Sequence, residues 1–110
     1  MQIRKVYRGV NPELLFNEIR DFILNQGLVL GETKMETYSL PSDSSSFITR
    51  GTMTFRTQED KESLRAHMVG SARDETKLML DIDEVLFPPE RVSALQADLD
   101  FIFGSAELSK

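Results

Sequence analysis

Hydrophobic and polar positions change period several times along this chain, and the order of those changes predicts the order of its elements. Over residues 2–10, Arg4, Val6 and Arg8 alternate with Ile3, Lys5 and Tyr7, the period of a short strand. Leu15, Ile19, Phe22 and Ile23 then recur at helical spacing. Asn11 offers an N-cap oxygen, Pro12 suits the first helical position because its missing N–H loses no partner there, and Glu13 complements the positive helix end. Gly27 can close that helix in a left-handed conformation.

Residues 28–40 and 47–57 alternate again, and Met35, Phe47, Met53 and Phe55 are expected to share the buried side, so that odd numbers point inward. Between them, Pro41-Ser42-Asp43-Ser44-Ser45-Ser46 has the turn chemistry of a hairpin loop. An antiparallel hairpin closed there sets Glu36 opposite Arg50 and Tyr38 opposite Ile48. In the next hairpin, turning over residues 70–75, Leu64, Ala66 and Met68 share a face with Leu78, Leu80 and Ile82. That register puts Arg65 across from Asp81 and His67 across from Met79. Pro88 and Pro89 open a last segment in which Val92, Leu95, Leu99, Ile102 and Phe103 keep helical spacing up to Gly104.

The predicted order is β-α-β-β-β-β-α, a single α+β domain over residues 1–104 with 105–110 as a flexible tail. Each helix has one apolar stripe and the sheet one apolar face, so two helices pack on one side of a five-stranded antiparallel sheet. Phe22, Phe55, Leu80, Leu95 and Leu99 are expected in one core between them. With strand order 1-5-4-3-2, the open face carries Arg4 and Arg8, then Asp81 and Asp83, then Arg65 and His67, then Arg50 and Arg56, and at the far edge Glu32, Lys34 and Glu36.

In element order this arrangement resembles the TATA-box-binding-protein-like or helix-grip superfold, whose unit is also β-α-β4-α with helices on one face. The resemblance implies either a binding face on the open side or, as in lipid-binding relatives, a cavity between the sheet and the C-terminal helix. Nucleic-acid-binding members carry basic residues and wedge phenylalanines on that face. Here Phe47 and Phe55 are assigned to the buried side and carboxylates share the open one, which speaks against DNA.

Composition agrees with one soluble domain: 110 residues, 40% hydrophobic and 28% charged, suffice for a core. The net charge of -5, from 13 Lys plus Arg against 18 Asp plus Glu, argues against long-range attraction to nucleic acid or an anionic membrane. The chain has no cysteine, hence no disulfide or thiolate metal site, and no signal-peptide pattern or bilayer-length apolar run. The expectation is a cytoplasmic, prokaryotic protein.

Candidate chemistry is sparse. His67 is the only histidine, and a metal site there would need Asp81 or Asp83; a solvated strand histidine is the plainer reading. Asp81-Ile82-Asp83-Glu84 lacks the glycine and spacing of a calcium loop, and a cross-strand ion pair with Arg65 explains it better. Ser44, Ser45 and Ser46 have no nucleophile elbow, and residues 70–73 form a turn without a following helix to bind phosphate. No catalytic residue, metal ligand or cofactor is assigned. The stripe Arg50, Arg56, Arg65 and His67 is the candidate ligand site, for a carboxylate, a phosphate or an acidic peptide. Tyr38, Leu40 and Ile48 form an apolar spot at the edge of the open face, a candidate interface. The expected function is non-enzymatic: a module that binds another copy of itself, as a homodimer, or another protein. Binding of a small anionic or amphipathic ligand is the alternative.

Overall fold

The computed structural model describes residues 1–40, 43–71 and 74–108, without the side chains of Leu40 and residues 43–46. The opening alternation forms β1 (Gln2–Arg8), which buries Ile3 and Tyr7 and exposes Arg4 and Arg8. Asn11 Oδ1 accepts the Glu13 N–H at 2.8 Å, and α1 (Pro12–Asn25) buries Leu15, Phe16, Ile19 and Ile23. Gly27 follows at φ +87°, a conformation that glycine adopts without a Cβ penalty. Four strands follow, β2 (Val29–Leu40), β3 (Asp43–Arg56), β4 (Glu62–Gly70) and β5 (Glu75–Ile82), then α2 (Pro89–Phe103).

The order is β-α-β-β-β-β-α, an α+β fold, and the five antiparallel strands lie in the order β1-β5-β4-β3-β2. Glu36 pairs with Arg50, Tyr38 with Ile48, Arg65 with Asp81 and His67 with Met79, the registers required by the alternation. Phe55, Leu80, Leu95 and Leu99 are fully buried in one core, with Phe22 packed against it. Phe87, in the turn before α2, is fully buried there as well. Among the described residues no helix is long and apolar enough to cross a membrane.

Four details differ from the sequence expectation. The serine run is not all loop: β3 begins at Asp43, which pairs with Leu40, and continues as extended backbone to Phe47, which pairs with Ser39. Pro41 and Ser42 lie outside the described residues. A bulge sets Gly31 and Glu32 against one residue of β3, so below it Leu28 and Leu30, both even-numbered, turn toward the core. Phe47 is 50% exposed, because the β2–β3 hairpin outruns β4, whose last pair with β3 is Thr49 with Gly70. Ile102 is also exposed; the buried stripe of α2 is Val92, Leu95 and Leu99, with Phe103 reaching the edge of the Tyr7 ring.

After α2 the chain makes one 3-10 turn (Gly104–Ala106) and returns to β1, where the Leu108 N–H donates to the Val6 carbonyl at 2.8 Å. Lys5 secures the return by pairing with Asp100 at 3.4 Å and Glu107 at 3.1 Å. Residues 109 and 110, the end of the expected tail, lie outside the described residues. Beneath this closure the Tyr7 hydroxyl is buried without a hydrogen-bond partner among the described residues. Burial first, then the Glu107 and Asp100 charges, push its pKa well above the usual phenol range. An unpartnered buried hydroxyl is unfavourable, so Tyr7→Phe should raise stability by about 1 kcal/mol in urea denaturation. A loss of that size would mean that the hydroxyl is satisfied.

Candidate functional site

Both helices cover one face of the sheet, so function is sought on the face they leave open. Strand pairing arranges that face as rows running across the strands. One row is Arg4, Met79, His67 and Thr52; the next is Val6, Lys77, Val69 and Arg50. Beside them, Gln2, Asp81, Arg65 and Thr54 form a third row.

Arg50, Arg65 and His67 lie on adjacent strands of this face, as expected, but the stripe does not converge on one point. Arg56 turns toward the β3–β4 connection, where Nη1 donates to the Asp60 carbonyl at 3.2 Å and lies 3.6 Å from its carboxylate. Arg65 Nη2 donates to Glu62 Oε1 at 3.0 Å. His67 Nδ1 lies 3.4 Å from the Thr52 hydroxyl. Two of the three arginines thus have carboxylate neighbours within their own hairpin, and exposed pairs of this kind contribute only about 0.2–1 kcal/mol each.

The acidic positions separate too. Asp81 accepts Gln2 Nε2 at 2.9 Å on the face. Asp83 lies beyond β5, where its carboxylate accepts the Val85 and Leu86 N–H groups at 3.0 and 3.3 Å; it caps a turn and does not join the face. Among the described residues no group of three or more His, Cys, Asp or Glu side chains could hold a metal ion.

At the other edge, β2 and β3 leave β4 behind and run on as a two-stranded ribbon, which gives the molecule its 45 Å long dimension. Tyr38 and Ile48 face each other on its outer side, 47% and 37% exposed, with Phe47 on the other side. The side chain of Leu40 lies outside the described residues. The Tyr38 hydroxyl donates to Glu36, which Lys34 also meets at 3.0 Å; these two contacts, Tyr38 first, hold the Glu36 carboxyl below its usual range.

One feature of the open face escaped the sequence reading. A groove of about 460 Å³ runs over β1, β5 and β4, bordered on this face by Arg4, Val6, His67, Val69, Lys77 and Met79. The β4–β5 turn indicates the His67–Met79 pair, but no turn joins β1 to β5, so nothing local shows that Arg4 and Val6 complete the row pattern. The space between helices and sheet, where a helix-grip ligand would lie, is filled by fully buried side chains, among them Phe55, Leu80, Phe87 and Leu99.

On the helical side, Glu18 of α1 shares a hydrogen bond with Asp98 of α2, and Asp98 Oδ2 is buried with no donor of its own among the described residues. That bond first, then burial and the charges of Asp98 and Asp21, push the Glu18 pKa from 4.5 to about 7. The folded state therefore holds a proton that the unfolded chain has released. Its contribution is fully present below pH 4.5 and is lost as pH rises through about 7. Glu18→Gln should flatten this decline and be the more stable protein at mildly alkaline pH. Thermal melts across that range check it, and an unchanged pH slope in the variant would contradict it.

No protein-family model, no curated protein and no solved structure matches this chain.

Proposed function

We propose that this domain is a non-enzymatic, self-associating module whose contact is the projecting tip of the β2–β3 hairpin. The observation that carries this reading is the ribbon beyond Thr49, which exposes Tyr38 and Ile48 on one side and Phe47 on the other. A two-stranded ribbon is marginal in water by itself, and apolar side chains on both of its sides favour a cover. A second copy supplies one symmetrically, since a two-fold axis at the tip sets the same apolar pair against itself. Lys34 and Glu36 place charge along the β2 edge, which discourages backbone pairing there and favours contact through the ribbon's faces.

Light scattering over a range of concentrations tests the proposal. The wild-type protein is expected to be a dimer and Ile48→Glu a monomer with an unchanged circular dichroism spectrum. A wild-type protein that is monomeric at high micromolar concentration would refute it.

A further inference from the structure

The groove over β1, β5 and β4 lies on the opposite side of the sheet's centre from the hairpin tip, and it combines basic with apolar side chains. Across the two rows, nitrogen-bearing and apolar side chains alternate in both directions: Arg4, Met79 and His67 in one, Val6, Lys77 and Val69 in the next. Most of the other described cations already meet a carboxylate: Lys5 with Asp100 and Glu107, Arg8 with Glu75, Lys34 with Glu36, Arg56 with Asp60 and Arg65 with Glu62. Arg4 and Lys77 do not, and among the described residues the same holds of Arg50, Lys61 and Arg91, none of which lines the groove. Arg4 Nε donates to the neutral Gln2 side chain at 3.0 Å, and neither Arg4 nor Lys77 has a carboxylate within ion-pair distance among the described residues. In a chain of net charge -5, the groove thus keeps cations available beside an apolar floor.

We propose that this groove docks an acidic segment of a partner protein in which apolar residues separate the carboxylates. Complementarity of charge and of spacing supports it. Same-face positions along a strand lie about 7 Å apart, the spacing at which an extended segment laid along the strands presents every second side chain, and neighbouring strands lie about 4.8 Å apart, within reach of those side chains. Carboxylates would meet Arg4 and Lys77, with aliphatic side chains over Val6, Met79 and Val69. Nucleic acid fits less well, since the floor offers no Phe, Tyr or Trp ring for a base to stack on and the net charge repels a polyanion at range. The groove is also shallow for a small molecule, which a binding pocket normally encloses. The inference does not rest on self-association, because Tyr38 and Ile48 border no part of the groove.

The test follows amide and methyl signals of the full chain by NMR during titration with a short capped peptide that repeats Glu-Ser-Leu-Ser, so that glutamate and leucine alternate on one side of the extended segment. Two control peptides replace every glutamate with serine or every leucine with glycine, and a single-stranded DNA oligonucleotide serves as a third probe. The glutamate–leucine peptide should move the Val6, Val69, Lys77 and Met79 signals first and saturably, with the effect fading as salt is raised. Lys77→Glu should weaken it about tenfold or more, and Met79→Ser should weaken it as well. Arg65→Glu and Ile48→Glu should leave it within about twofold, the latter separating this site from the hairpin contact. Both control peptides should bind more weakly. Equal binding by either control, tighter binding by the oligonucleotide, largest shifts at the hairpin tip or helices, or groove signals that move with protein concentration alone would each overturn the proposal.

Discussion

Leu80→Ala and Leu99→Ala should each lower the unfolding free energy by about 2–5 kcal/mol, the range for truncating a buried leucine. Both side chains are fully buried, so each loses its transfer free energy and leaves a cavity. Leu80 sits on β5 with Ile3 and Ala66 as its register neighbours, which places it in the middle of the sheet's inner face. Leu99 is on the buried stripe of α2. The two positions therefore test opposite walls of one core. Urea unfolding with unchanged m-values would measure the loss; less than about 0.5 kcal/mol at both would mean that the assigned faces are wrong.

Gly70→Ala should be the most damaging single-methyl change on the sheet, costing about 1–3 kcal/mol. A Cβ there would lie 2.5 Å from the Thr76 Cα and 2.6 Å from the Glu75 carbonyl oxygen, both backbone atoms of β5. Neither can move freely, since Thr76 is fully buried and its hydroxyl donates to the Val10 carbonyl at 2.9 Å. The neighbouring Ser71→Ala is the control: Ser71 accepts from Thr76 through its backbone oxygen, which the substitution keeps, so a change within about 0.5 kcal/mol is expected. If the two variants melt alike, β4 and β5 do not approach so closely at this end.

Much of the fold was legible because the informative signals are local. The helix starts at Asn11 and Pro12, its end at Gly27 and the registers of both hairpins follow from caps, turns and period-two alternation within short spans. What escaped has a physical reason each time. One extra residue at Gly31–Glu32 reverses facing without changing composition. A serine run has turn chemistry but also tolerates extended backbone, and this hid the length of the ribbon and the exposure of Phe47. Phe87 lies in a turn outside any periodic segment.

The candidate sites divide in the same way. Arg50, Arg65 and His67 share a face, but neighbours close in sequence, Glu62 for Arg65 and Asp60 for Arg56, draw the arginines aside. These i, i+3 and i, i+4 partners could have been noticed in the sequence. The groove around Lys77 could not, because it depends on the register of β1 against β5, which no turn between these two strands sets.

Contact between hairpin tips is tested most directly by isotope-filtered nuclear Overhauser measurements on a mixture of labelled and unlabelled protein. Self-association through the tip predicts intermolecular signals between the Tyr38 ring and the Ile48 methyl groups, lost in Ile48→Glu. A dimer whose intermolecular signals come only from the helices or from the groove over β1, β5 and β4 would contradict it.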